Sequence, residues 1–135
     1  MLNLKKGTNY DGVVRIKVKT NRKNVAKTNL YVDFSGHSIM YLAVNDYRVP
    51  EAEVIYHYQR ILIKKEWLGR EENTIEVIFD NKYAFMGDGL TTYFPLDDNN
   101  KYSLKGQMIY TRNGVAKIVK IFPCFNVLNP CLIKL

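Results

Sequence analysis

The 135-residue chain carries 20 Lys and Arg against 13 Asp and Glu, a formal net charge of +7, with 47% hydrophobic residues, ten tyrosines and two cysteines. This length fits one domain, residues 1–135, able to bury a core, and so few cysteines do not suggest a disulfide scaffold. No run of about 18 apolar residues reads as a membrane helix, and the opening MLNLKKGTNY lacks the apolar block of a signal peptide, so a soluble, cytoplasmic chain is expected.

The positive charge is concentrated at the amino-terminal end. Residues 1–28 hold Lys5, Lys6, Arg15, Lys17, Lys19, Arg22, Lys23 and Lys27 against Asp11, and the rest of the chain is neutral. A local basic patch follows, rather than a uniformly basic protein.

In chain order, Val14, Ile16 and Val18 alternate with Arg15, Lys17 and Lys19, a period of two that predicts a half-buried strand. Asn21-Arg22-Lys23-Asn24 is a polar turn. Leu30, Val32 and Phe34 then alternate around Tyr31 and Asp33, with a break at Ser35-Gly36. The apolar run Ile39 to Val44 ends at Asn45-Asp46, which should reverse the chain into Tyr47-Arg48-Val49.

Residues 53–65, EVIYHYQRILIKK, fit a helix or two short strands. Their β-branched and aromatic side chains lose rotamer freedom in a helix, so two strands turning at Gln59-Arg60 are expected. Trp67 to Asn73 reads as a loop, after which Ile75, Val77 and Phe79 alternate in a further strand. Short alternating runs between turns predict an all-β fold, an antiparallel β-sandwich or a curved saddle-like sheet.

The last third carries the most informative order: Gly87-Asp88-Gly89-Leu90 before Tyr93-Phe94, then Asp97-Asp98-Asn99-Asn100 before Tyr102, then Phe122-Pro123-Cys124-Phe125-Asn126. Glycines that permit left-handed backbone and an Asp/Asn run that favours a tight turn predict two hairpin corners. This order resembles the amino-terminal β-domain of the zinc aminopeptidase family that includes aminopeptidase N and the leukotriene hydrolase-type enzymes. There the pattern is G-x-G-L, an aromatic-containing strand, D-P-x-D-G/N, Y-x-Y-T-Q and F-P-C-F-D-x-P. Asp98 matches the second turn aspartate, and Phe122 to Phe125 repeat F-P-C-F. Leu68, Asn73, Ile75, Val77 and Phe79 fit loosely an earlier strand pattern of the family. Gln107 follows Tyr102 by five residues where the family has four, Asn126 replaces an aspartate, and the family's domain continues for further strands. The resemblance therefore implies a fragment or a truncated form.

In that family a zinc held by H-E-x-x-H and a distant glutamate sits in a second, catalytic domain, so the resemblance implies zinc there and no cofactor in this chain. A catalytic zinc needs three protein ligands and an open position. Here only His37 and His57 occur, in different elements, and H-E-x-x-H is absent, so no catalytic residue and no metal ligand is expected and the chain alone should be inactive. Ser35, Ser38 and Ser103 lack a nucleophile elbow, Cys124 beside Pro123 suggests burial, Gly87-Asp88-Gly89 is too short for a phosphate loop, and Asp97 to Asn100 lacks the spacing of a calcium loop. Cys124 and Cys131 form no C-x-x-C pair and are expected to be reduced.

The resemblance implies a substrate-binding role for Gln107, whose side-chain carbonyl would accept from the free amino group of a peptide. A one-residue offset reverses the face of a strand residue, so Gln107 would need a bulge, for which Gly106 is suited. The implied function is a non-catalytic domain flanking the peptide-binding groove, with a catalytic domain and a peptide substrate as partners. The alternative is an interaction module whose basic hairpin docks on acidic partners; no nucleic-acid-binding motif is present. The apolar tail from Ile118 to Leu135 is expected either to fold back on its own sheet or to mediate self-association.

Overall fold

The computed structural model describes residues 1–20, 28–111 and 115–125. Ten strands follow one another: β1 (Leu2–Leu4), β2 (Asn9–Lys19), β3 (Leu30–Asp33), β4 (Ser38–Val44), β5 (Tyr47–Arg48), β6 (Tyr56–His57), β7 (Arg60–Ile63), β8 (Glu72–Lys82), β9 (Thr91–Tyr93) and β10 (Met108–Tyr110). Short 3-10 turns occupy Glu51–Glu53, Lys65–Trp67 and Val115–Lys120. The fold is all-β, with an antiparallel five-stranded sheet β1-β2-β8-β4-β5, a three-stranded sheet β3-β7-β6 and a hairpin β9-β10.

The frame is the pairing of β2 with β8, eleven residues each, from Asn9 opposite Lys82 to Lys19 opposite Glu72. Strict alternation on β8 buries Asn73, Ile75, Val77, Phe79 and Asn81 and turns Glu72, Thr74 and Glu76 outward. The alternation read on β2 and β3 holds: Ile16 and Val18 are half-buried between exposed Arg15, Lys17 and Lys19, and Val32 and Phe34 are fully buried. The inward faces of the five- and three-stranded sheets meet in one core that joins Leu42, Val44, Ile75, Val77 and Phe79 to Val32, Phe34, Ile61 and Ile63. Phe34 and Phe79 cross it edge to face, ring centres 5.0 Å apart. Each such large side chain contributes about 1.5–3 kcal/mol on burial.

The Asn45-Asp46 turn joins β4 to β5 as expected, with Asn45 at φ 57°. The second tight turn is displaced by one residue from the sequence expectation. It lies at Tyr58-Gln59, not Gln59-Arg60, and both residues have positive φ, 49° and 62°. Left-handed backbone at both central positions is the type I′ geometry, one of the two that match the twist of the flanking strands, and pairing His57 with Arg60 puts the turn there. Tyr58-Gln59 is not the Asn-Gly or Asp-Gly pair that usually marks such a turn. The expected polar turn at Asn21 to Asn24 lies outside the described residues.

Residues 117–125 fold back onto the sheets. Ile121 is buried, Phe122 and Phe125 pack on the core, and Cys124 exchanges backbone hydrogen bonds with Asp33, 2.9 and 3.0 Å. Of the two expectations for the tail, this part takes the first; residues 126–135, with Cys131, lie outside the described residues.

Candidate functional site

Gln107 stands between a turn and the start of β10. Gly106 is in left-handed backbone, φ 85°, but within that turn rather than in a bulge, so strand phase does not set the direction of the Gln107 side chain. Its amide instead pairs with the peptide group of Gly7: Oε1 accepts from the Gly7 N–H at 2.9 Å, and Nε2 donates to the Gly7 carbonyl at 2.8 Å. Nε2 also donates to Thr92 Oγ1 at 2.7 Å. The side-chain amide thus acts like a strand backbone, tying the turn before β2 to the β9-β10 hairpin. Its carbonyl, the atom that the resemblance assigns to a peptide amine, keeps one lone pair beyond the bond to Gly7.

The Gly87-Asp88-Gly89 loop is bent by left-handed φ at both glycines, 63° and 104°. Asp88 takes Lys117 on one carboxylate oxygen and Lys120 on the other, the latter at 2.8 Å. These two hydrogen bonds pull the carboxyl down to about 2. The loop is thereby fastened to the 3-10 turn immediately before Phe122-Pro123-Cys124-Phe125.

That turn is held from below by a buried polar group. Tyr10 donates its hydroxyl to the Ile121 carbonyl at 2.8 Å, and Asn81 Nδ2 donates both to Tyr10 Oη and to the Lys120 carbonyl, each at 2.9 Å. Burial pushes the Tyr10 phenol up to about 12. Among the described residues no buried side-chain nitrogen or oxygen lacks a hydrogen-bond partner.

Asp97 to Asn100 forms a solvated turn. Asp97 Oδ1 accepts from the Asn99 and Lys101 N–H groups, both at 2.9 Å, and Asn100 takes φ 58°. Leu96 and Tyr102 then pair across it as an isolated bridge. The turn and the β9-β10 hairpin together open a cleft of about 650 Å³ lined by Phe85, Thr92, Tyr93, Phe94, Tyr102 and Leu104. Tyr102 is 82% exposed and Phe85 67% exposed. No period-two or helical pattern in this stretch indicates such a cleft; the only signal was aromatic side chains concentrated where the chain is rich in turns.

The remaining candidates are dispersed. His37 is exposed before β4, and His57 is exposed on β6, its ring centre 6.3 Å from that of Tyr58. Among the described residues no three His, Cys, Asp or Glu side chains gather as a metal site. Cys124 is free and half-buried, and burial together with the neighbouring Asp33 pushes its thiol up to about 11, against nucleophilic use. In the basic amino-terminal region Lys5 pairs with Asp11, Arg15 with Glu76 and Lys19 with Glu72. No described helix is long and apolar enough to cross a membrane.

Compared with known proteins, the chain matches no family model and no curated protein.

Proposed function

We propose that this chain is a non-catalytic amino-terminal β-domain of a zinc aminopeptidase-like protein, flanking the peptide-binding groove of a catalytic domain that it does not itself contain. The observation that carries this reading is the convergence of the segments on which the resemblance rests. The Gly87-Asp88-Gly89 loop is clamped by Asp88 to the turn leading into Phe122 to Phe125, and Gln107 sits against Thr92, two residues beyond Leu90. Segments separated by some thirty residues along the chain thus form one neighbourhood, as parts of a single structural motif would. Zinc belongs, on this reading, to the catalytic domain.

Gln107 is the residue assigned to the peptide's amino end. It would bind by offering the second lone pair of Oε1, so the Gly7 pairing would orient the acceptor rather than block it. The test has two arms. The coding sequence downstream of Leu135 should encode H-E-x-x-H and a distant glutamate; a different domain there overturns the reading. The isolated chain loaded with zinc should leave amino-acid arylamides uncut, and chelator-sensitive hydrolysis would contradict its non-catalytic role.

The reading as a basic docking module has less support. Three of the five described cations in the amino-terminal region are already paired with carboxylates of this chain. Exposed pairs of this kind contribute little to stability, but they lower the field that an acidic partner would meet.

A further inference from the structure

The cleft beside the β9-β10 hairpin belongs to a larger apolar face. Phe85, Tyr93, Tyr102 and Leu104 line the cleft, Met108 lies directly opposite Tyr93 in the hairpin register, and Leu96 is bridged to Tyr102. All six are at least half exposed, from 50% for Tyr93 to 82% for Tyr102. With a large aromatic side chain presenting about 150–250 Å², together they leave on the order of 700 Å² in water. The largest apolar patch of a typical monomer is about 300–600 Å², and each partner of a standard stable interface contributes about 800 Å². The face is therefore of the size that one partner brings to an interface.

The charge around it is mixed in sign. Residues 85–110 contain Asp88, Asp97, Asp98, Lys101 and Lys105. Asp88 is held by Lys117 and Lys120, and the other four, Asp97, Asp98, Lys101 and Lys105, are exposed and stand beside Leu96, Tyr102 and Leu104 in sequence. A rim that carries both signs can pair with itself across a two-fold axis, lysine of one copy against aspartate of the other. A rim of one sign would instead favour a partner of the opposite sign.

We propose that this face binds a second copy of the same chain, forming a two-fold dimer centred on Tyr102 and Leu104 with Asp98, Lys101 and Lys105 at its rim. The proposal does not depend on the aminopeptidase-like reading, which the downstream coding sequence tests separately. Because these side chains project into water, replacing them leaves the core untouched.

Sedimentation equilibrium of the full chain over a range of concentrations tests it, with circular dichroism and thermal unfolding of each variant as folding controls. The wild type should show a reversible monomer-dimer equilibrium. L104D, which buries a charge at the centre, should raise the dissociation constant about 30-fold or more, as loss of a central anchor does. D98K alone should weaken the dimer, and D98K combined with K105D should restore it, since the exchange preserves self-complementarity. A chain that stays monomeric up to its solubility limit overturns the proposal. So does a dimer indifferent to L104D, because its contact would lie on another face.

Discussion

The Gln107 side chain and the peptide group of Gly7, one hundred positions apart, exchange two hydrogen bonds, 2.9 and 2.8 Å. A side-chain amide that stands in for a missing strand partner closes the gap between the turn before β2 and the hairpin. Gln107→Ala removes both bonds and the donor to Thr92. At about 0.5–1.5 kcal/mol for each of the three hydrogen bonds, the expected loss is about 1.5–4.5 kcal/mol in urea unfolding. Hydrogen exchange should quicken at the Gly7 amide first.

Asp88 has an acid-sensitive role. Its carboxyl is drawn down to about 2 by Lys117 and Lys120, below its unfolded value of 3.8. A depressed folded value contributes stability that is present above pH 3.8 and is lost as pH falls toward 2. The D88N variant should melt at a lower temperature than the wild type at neutral pH. The difference should shrink as pH is lowered through that window; a difference at pH 2 as large as at neutral pH would rule out the ionic clamp.

For Tyr10 the sign is opposite. Burial raises the phenol from 10 to about 12, so its contribution is complete below pH 10 and is lost as pH rises toward 12. Burial also raises Tyr56 and Tyr83, so spectrophotometric titration should find several tyrosines ionising late, and Y10F should remove the component near pH 12. Y10F also deprives the Ile121 carbonyl of its hydroxyl donor. A destabilisation of about 1–3 kcal/mol is expected, as for a buried acceptor left unpaired.

Cys124, pushed up to about 11 by burial and by Asp33, holds almost no thiolate at neutral pH. In a Cys131→Ser background it should react slowly with a thiol reagent in the native protein and rapidly in urea. Fast native labelling would show that the thiol is more accessible than its position beside the Asp33 bridge implies.

The parts of the fold that were legible in the sequence were those where one face is buried and the other is wet. Ile75, Val77 and Phe79, or Val32 and Phe34, declare their strand by alternation because each buried side chain removes its own apolar area from water. Asn73 breaks the rule. It is buried within the same alternating set, paired with Asn45, Arg70 and Thr20, and nothing in its neighbours' periodicity distinguishes it from an apolar residue. The turn at Tyr58-Gln59 was misplaced by one residue because strand pairing, not local turn chemistry, imposes its left-handed backbone. At the candidate site, the Asp88 clamp and the Gln107 pairing were hidden because they join residues 29 to 100 positions apart, and single-sequence patterns carry only local information. The aromatic cleft was hidden for the opposite reason: its side chains are exposed, and exposure leaves no period.

The β2-β8 ladder also carries a large loop-closure cost during folding. Its facing residues, such as Arg15 and Glu76, are 61 positions apart, so forming it from an open chain means closing a long loop before any bond is made. Inside that loop lie two hairpins, β4-β5 and β6-β7, each closed by a two-residue turn. Local closures of this kind take microseconds, whereas distant pairing is slow. By the loop-closure argument the hairpins precede the ladder and shorten the path that it must bridge.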